Sequence, residues 1–219
     1  MWRRATILAG AAVAVAWATP SAHAQKAAAQ TTVTLKDAAG DVRCGKDNLD
    51  VVEVGLDSDG KNLLISATMA GDIATLMKDR MPGEALRVFI DTDDNPATGG
   101  AVDWASARKG YDAVVMVESC VKYAAGEACL GGLSGPHTGL FSNYDLKLWK
   151  KAADGGSFDQ QPMSMGGSSG TSAGKTLKVS VPYDKLGLHA GQAIRVAVRE
   201  QDADFDASAV MPDARLKLK

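Results

Sequence analysis

The chain has 219 residues, of which 46% are apolar and 23% charged, an ordinary composition for a globular protein. Lysine and arginine number 24 and aspartate and glutamate 26, so the formal net charge is −2 at pH 7. The balance is slightly acidic and no basic run occurs, which excludes a nucleic-acid-binding tail and disfavours any polyanionic partner.

The first 24 residues have the three parts of a secretory signal peptide. Arg3-Arg4 makes a basic start, an apolar run covers residues 7–17, and Ala22-His23-Ala24 places small residues on either side of a spacer. This layout predicts cleavage after Ala24 and export to the periplasm or the extracellular space. The apolar run is shorter than the about 20 residues that a membrane-spanning helix needs. No later stretch is longer, so no membrane span is expected.

After this segment, apolar and polar residues alternate in several runs, which is typical of half-buried antiparallel strands. The expected inward positions are Val52, Val54, Leu56, Leu63, Ile65, Ala67, Met69, Leu86, Val88, Ile90, Tyr144, Leu146, Leu148, Leu177, Val179, Val181, Ile194, Val196 and Val198. Residues 113–117 are apolar throughout, which predicts a central strand covered on both faces. Only residues 72–78 have a helical pattern. The sequence therefore predicts an all-β fold, a two-sheet antiparallel β-sandwich of jelly-roll-like type with one short helix.

The domain organisation is predicted to be simple. Residues 25–31 are expected to form a flexible leader, and residues 32–219 a single β-sandwich domain. Within that domain, residues 154–174 are rich in glycine and serine. This composition predicts a long mobile surface loop rather than a linker between two domains.

Three cysteines, Cys44, Cys120 and Cys129, would remain after cleavage, and an oxidising compartment favours one disulfide among them. A Cys120–Cys129 bridge closes a loop of about 10 residues, worth roughly 2.7 kcal/mol. Residues 123–126, however, predict a three-residue hairpin loop, whose register sets Cys120 opposite Leu130 and turns Cys129 to the other face. This pairing therefore needs another register or a bulge, and pairing of Cys44 with either cysteine stays open.

The sharpest local feature is an acidic loop, IDTDDNPATGG over residues 90–100, which directly follows an apolar strand. Asp91, Asp93 and Asn95 are two residues apart, and a tight loop can bring oxygen atoms at this spacing to one point. Calcium takes about 6 to 8 oxygen ligands, and crowded carboxylates repel one another unless a cation neutralises them. Thr98, in the turn that fixes the loop, is a further candidate ligand. The alternative is a turn that the aspartates only solvate and cap.

Four short motifs follow one another along the chain: an Asp-rich turn at residues 37–41, Ile-Asp-Thr-Asp…Thr-Gly at 90–99, Gly-Tyr-Asp at 110–112 and Pro-Asp at 212–213. In this order they resemble the bacterial extracellular β-sandwich domains related to carbohydrate-binding module family 9 and the DOMON superfamily, over residues from about 35 to 216. The resemblance implies a calcium-stabilised sandwich. The metal ligands that it implies are Asp91, Asp93, Asn95 and Asp112, with Asp37 and Asp41 joining this site or forming another.

The same resemblance leaves several functions open. The leading expectation is an exported, calcium-binding, non-catalytic binding or structural module, with a glycan or a cell-envelope component as its partner. The first alternative is a carbohydrate-binding protein, in which Trp104 and Trp149 would stack on sugar rings. The second is a haem-binding electron-transfer module, with ligands from Met116, Met163, Met165, His137 and His189. No Gly-x-Ser-x-Gly motif occurs between a strand and a helix, and no catalytic residue is predicted.

Overall fold

The computed structural model describes residues 28–40, 50–73, 83–101, 109–123, 126–128, 137–148, 170–200 and 211–219. Its strands are β1 (Val33–Lys36), β2 (Val51–Ser58), β3 (Asn62–Met69), β4 (Gly83–Asp91), β5 (Gly100–Ala101), β6 (Lys109–Tyr111), β7 (Ala113–Tyr123), β8 (Gly126–Ala128), β9 (His137–Leu148), β10 (Gly170–Ala173), β11 (Thr176–Pro182), β12 (Ala193–Glu200) and β13 (Ala214–Lys217), and the helix that lies wholly within these ranges is α1 (Tyr183–Leu186). Every pairing between these strands is antiparallel. The fold is all-β, as the alternation predicts. In the described ranges, no helix combines the length and apolarity needed to cross a membrane.

The main sheet has eleven strands, in the order β1-β2-β3-β11-β10-β9-β7-β4-β12-β13 with β8 beside β7, and β5 and β6 form a separate ribbon. The main sheet folds over so that its two outermost strands meet. Gln30, just before β1, forms a parallel bridge with Leu216 of β13. The Gln30 N–H donates to Arg215 O (3.0 Å), and Lys217 N–H donates to Gln30 O (2.7 Å). Both halves of the folded sheet contribute to one buried core, which makes the predicted β-sandwich.

The inward residues of the long strands form that core. The predicted positions in β3, β4, β11 and β12 are all buried: Leu63, Ile65, Ala67, Met69, Leu86, Val88, Ile90, Leu177, Val179, Val181, Ile194, Val196 and Val198. Tyr144 and Leu146 of β9 are buried as well. The prediction is wrong at Val52, which is half-buried, whereas Val51 is fully buried. A bulge between Val51 and Glu53 adds one residue and so reverses the face at the start of β2.

Strand β7 is covered on both faces, as its uninterrupted apolar sequence predicts. All of residues 113–117 are buried, and β7 lies between β4 and β9. Alternate residues of β7 face the main core, while Val114 and Met116 join Phe89, Tyr111 and Ala197 in a smaller apolar cluster on the opposite face. The Tyr111 ring packs edge-on against Phe89, with ring centroids 5.9 Å apart. This cluster fixes Tyr111 beside the acidic loop.

Two other elements differ from the prediction. Helix α1 follows β11, buries Tyr183 and Leu186, and ends at Gly187 in the left-handed conformation (φ 67°). Its four residues are too few to give a helical period in the sequence. The end of the predicted loop at 154–174 is wrong, because Gly170–Ala173 form β10 and pair with β11 across a turn at Gly174. Most of the predicted helix at 72–78, and residues 154–169, lie outside the described residues.

The register of the β7–β8 hairpin affects whether Cys120 and Cys129 can form a disulfide. Tyr123 pairs with Gly126, so two residues rather than three separate the paired ends. The predicted register is therefore wrong by one residue, because Gly126 takes the first paired position of β8 instead of the last position of the loop. The argument from register against a Cys120–Cys129 disulfide no longer holds. Cys44 and Cys129 lie outside the described residues, and the disulfide stays a prediction.

Candidate metal site

The acidic loop turns back from the end of β4 and lies against β6. Gly110 has φ +89°, and a Cβ atom there would overlap with the backbone of Pro96. Gly99 has φ +72°, and a Cβ atom there would overlap with the backbone of Tyr111. Only glycine permits both the left-handed conformation and so close an approach of two backbones. These two glycines therefore allow the loop to pack closely against β6, the strand that leads into Asp112.

Three carboxylates converge where the loop meets the sheet. Asp91, Asp93 and Asp112 each offer one oxygen atom, and the three oxygen atoms lie within 4.8 Å of one another. Asp91 ends β4, and Asp112 lies beside it because its N–H donates to Ile90 O (2.8 Å). Asp91 is buried, Asp112 half-buried and Asp93 exposed, so the cluster extends from the sheet to solvent. The structure thus brings together three of the residues predicted to bind a metal.

Asp91 is the most constrained member of the cluster. Its Oδ2 atom accepts hydrogen bonds from Arg195 Nε (3.0 Å) and lies 2.9 Å from Arg195 Nη2. Its Oδ1 atom accepts a bond from Asn95 N–H (3.1 Å). Burial raises the pKa of the Asp91 carboxyl, the Arg195 guanidinium opposes this shift and nearby Asp93 adds to it. A carboxylate accepts about four hydrogen bonds, and Oδ1 accepts one from the described residues, so it has a position that a cation could use.

Asp93 and Asn95 organise the loop itself. Asp93 Oδ1 accepts a bond from Asn95 N–H (3.0 Å), and the Thr98 hydroxyl lies 3.0 Å from both Asp93 oxygens and 2.9 Å from Asn95 O. The side-chain oxygen of Asn95 accepts a bond from Ala97 N–H (3.1 Å). Asn95 thus holds the carboxylates through its backbone, while its amide oxygen caps its own turn. Thr98 stands beside Asp93, as a ligand or a supporting residue would.

In the part of the chain that the structure describes, side-chain hydrogen bonds hold Asp112 through one of its two oxygen atoms. Its Oδ2 atom accepts bonds from both Thr92 N–H and Thr92 Oγ1–H, each 2.8 Å long. Thr92 lies between Asp91 and Asp93 in the chain, so this pair of bonds ties the loop to the start of β7. The Oδ1 atom of Asp112 takes part in neither bond and can point to a cation.

The cluster carries excess negative charge. Five carboxylates lie in or beside it, those of Asp91, Asp93, Asp94, Asp112 and Asp213. Among the described residues, the Arg195 guanidinium contacts Asp91 and Asp213, and the Arg215 guanidinium contacts Asp94. Burial raises the pKa of the Asp94 carboxyl, with Arg195 opposing and Asp93 adding to the shift. The three converging carboxylates and the Arg195 guanidinium that is bonded to Asp91 sum to a formal charge of −2, which a divalent cation would neutralise.

Arg195, which is absent from the predicted residues, joins the parts of this site. It lies in β12 directly opposite Asp91. Its other hydrogen bonds go to Lys109 O (2.7 Å), Gly110 O (3.2 Å), Asp213 Oδ2 (3.2 Å) and the Tyr111 hydroxyl (3.5 Å). Its guanidinium carbon also lies 4.5 Å from the centroid of the Tyr111 ring. The alternation of β12 indicates only an outward polar residue here, and periodicity does not show that β12 pairs with β4, which places Arg195 opposite Asp91.

The other residues that the sequence predicted as ligands or contacts either lie away from the cluster or lie outside the described residues. Asp37 accepts a hydrogen bond from Ala38 N–H (2.9 Å) and is not among the converging carboxylates. Met116 is buried in the smaller apolar cluster, and His189 is exposed. Cys120 pairs with Phe141 and Tyr123 with His137 across β7 and β9. The side chain of Leu148 lies outside what the structure describes. So do the whole residues Asp41, Trp104, Cys129, Trp149, Met163 and Met165.

Comparison with known proteins adds no relative. Neither the family models, nor the curated proteins, nor the solved structures contain a match to this chain. The interpretation of the site therefore depends on its geometry and on the motifs in the sequence.

Proposed function

We propose that this protein is an exported calcium-binding β-sandwich that acts as a non-catalytic binding or structural module. Calcium would be held at the acidic loop by Asp91, Asp93 and Asp112. The observation that carries this proposal is the convergence of three carboxylate oxygens within 4.8 Å. Oxygen-only donor sets suit hard cations such as calcium, and the excess negative charge of the cluster favours a divalent ion.

The neighbouring groups fit a flexible calcium shell. The three carboxylates supply the charge, and the Thr98 hydroxyl stands next to Asp93. Because that hydroxyl has one proton, it can donate to Asn95 O and leave both Asp93 oxygens to a cation. Water would supply the rest of the 6 to 8 ligands that calcium takes. A bound ion would cross-link the end of β4, the loop and the start of β7, which is a stabilising role.

A non-catalytic role fits the bonding of the cluster. Each carboxylate there is engaged in holding the loop or the strand ends, through Asn95, Thr92 or Arg195. Within the described part of the chain, no histidine or cysteine belongs to the group of potential ligands. Export is proposed from the 24-residue N-terminal segment, and it would place the protein where calcium is plentiful. The expected partner is a glycan or another component of the cell envelope.

Thermal unfolding with and without calcium tests the proposal. A ligand at about 100 times its dissociation constant adds roughly 2.7 kcal/mol to the native state. For a domain of this size, each kcal/mol moves Tm by about 2 to 4 °C. We therefore expect calcium to raise Tm by several degrees relative to a chelator. Magnesium should do so poorly, because its strict octahedral geometry does not suit a flexible loop. Equal melting curves in calcium and chelator would mean that the acidic loop is only a solvated turn.

Three variants make this experiment specific. Asp93→Asn and Asp112→Asn keep the side-chain shape but remove one charge each, and they should abolish most of the calcium-dependent rise in Tm. Asp59→Asn is the control, because the exposed Asp59 carboxylate caps a turn through Lys61 N–H and Asn62 N–H and does not belong to the cluster. A loss of the calcium effect in Asp59→Asn would point to non-specific charge screening.

A further inference from the structure

We propose that Arg195 is a built-in counter-ion of the calcium site, which keeps the loop folded without metal and at the same time weakens calcium binding by charge repulsion. This inference depends on the proposed calcium site. The carboxylate of Asp91 would serve both partners, with Oδ2 bonded to Arg195 and Oδ1 directed to the cation. The site would then be formed in advance, and calcium would add to an existing positive charge rather than replace it.

The bonding of Arg195 explains why it would stay in place when calcium arrives. Its side chain is only 16% exposed, and its nitrogen atoms bond to Asp91, Asp213 and two backbone carbonyl groups. Those carbonyl groups belong to Lys109 and Gly110, in the strand that leads into Asp112. Arg195 therefore links Asp91 to the Asp112 segment, the same two parts that calcium would link. With so many partners, the guanidinium has no simple route out of the site.

The electrostatic consequence follows from burial. The Asp91 side chain is fully buried, and charges near it are screened less than charges in water. A fixed positive charge bonded to one ligand of a divalent cation must therefore raise the free energy of the bound state. We expect a calcium affinity in the weak range typical of extracellular modules, with Kd on the order of 10⁻⁴ to 10⁻³ M. Such a site is filled outside the cell and left empty at cytosolic calcium levels.

Arg215 offers a matched control. It lies in β13, next to β12, and its Nη1 donates to Asp94 Oδ1 (2.8 Å) while Nη2 bonds to Asp94 Oδ2. Its side chain is 14% exposed, close to the 16% of Arg195. Asp94 is not one of the three converging carboxylates. Removing Arg215 should therefore cost a similar ion pair without freeing a calcium ligand.

The test combines calorimetric calcium titration with Tm measured in chelator and in calcium. Arg195→Gln should lower Tm in chelator and yet bind calcium at least about tenfold more tightly than the unchanged protein. Arg195→Lys keeps the charge but loses the planar fork, so it should lower Tm in chelator with calcium affinity unchanged. Arg215→Gln should lower Tm in chelator and leave the calcium Kd within about twofold.

Each outcome decides between the two proposals. If the unchanged protein binds no calcium, the proposed function fails, and this inference fails with it. If the unchanged protein binds calcium but Arg195→Gln binds equally or more weakly, the site stands and the counter-ion role is overturned. If Arg195→Gln folds only when calcium is added, the inference is supported, because the ion then replaces the missing charge. Failure of Arg195→Gln to fold even in saturating calcium would overturn it.

Discussion

Asp57 joins two distant parts of the chain through a single carboxylate. Its Oδ1 atom accepts bonds from Ser58 N–H and from Lys219 Nζ, both 2.6 Å long. The backbone N–H of Lys219 donates in turn to Ser58 Oγ (2.9 Å). The bonds from Lys219 and Ser58 hold the pKa of the Asp57 carboxyl below its usual range. The bonds of Lys219 to Asp57 and Ser58 hold the residues after β13 against the end of β2.

The lowered pKa of Asp57 predicts a pH dependence of stability. A carboxyl whose pKa is lower in the folded than in the unfolded state stabilises the protein above the unfolded value of about 3.9. That contribution is lost as pH falls through the lower folded value. Asp57→Asn should therefore lose about 0.5 kcal/mol at pH 7, a small effect because the pair is partly exposed. Its stability should also fall less steeply below pH 4.

Acid titration of Tm in chelator checks this expectation. Lys219→Ala removes the other partner and should reproduce the shallower acid limb. Parallel curves for Asp57→Asn and the unchanged protein between pH 2 and 5 would mean that the Asp57 pKa is the same in the folded and unfolded states.

At the scale of elements, Gly110 is one of the two glycines that the contact between the acidic loop and β6 requires. Gly110→Ala introduces a Cβ atom that overlaps with the Pro96 backbone and adds the strain of a left-handed non-glycine residue. We expect a loss of roughly 2 to 3 kcal/mol and a weaker calcium effect, because the loop must move away. Gly174→Ala is the control: its φ is +57°, and no atom of the described residues lies within 4 Å of the new Cβ atom. It should cost only about 1 kcal/mol. Equal losses in chemical denaturation would show that backbone conformation alone matters.

Strand alternation made most elements predictable. In β3 and β11, apolar residues occupy every second position without interruption, and the burial follows them. The wrong predictions have local physical causes that the alternation of apolar and polar residues does not reveal. The bulge at Val51 changes the face of β2, and β10, with the sequence GTSA, has no large apolar residue to mark it.

Some residues of the candidate site could likewise be predicted from the sequence, and one could not. The Asp91 and Asp93 carboxylates could be predicted because both belong to one short loop, and Asp112 because the resemblance placed it in a neighbouring strand. Arg195 could not be predicted, because its role depends on which strand lies next to β4. The pairing of β12 with β4 is set by the whole sheet order, which periodicity does not encode.

At the scale of the whole molecule, the bridge at Gln30 closes the main sheet. The Gln30 side chain is exposed, so its contribution comes from the backbone bonds to Arg215 and Lys217. Gln30→Pro removes the N–H that donates to Arg215 O and should cost about 1 to 2 kcal/mol. Gln30→Ala keeps both bonds and should change stability by less than about 0.5 kcal/mol. Urea unfolding of the two variants measures the difference. If both match the unchanged protein, the bridge does not contribute to stability.

Closure of the sheet also predicts when the core can form during synthesis. β3 pairs with β11, and the chain before β1 pairs with β13, so both contacts need segments that are synthesised long after β3. Contacts between residues so far apart carry a large loop-closure entropy and slow the folding of a single domain. A nascent chain of this sequence can form the β1-β2-β3 meander early but cannot complete its core. It would therefore remain open until β13 has been synthesised, and the proposed export would thread it through a secretion channel in that open state.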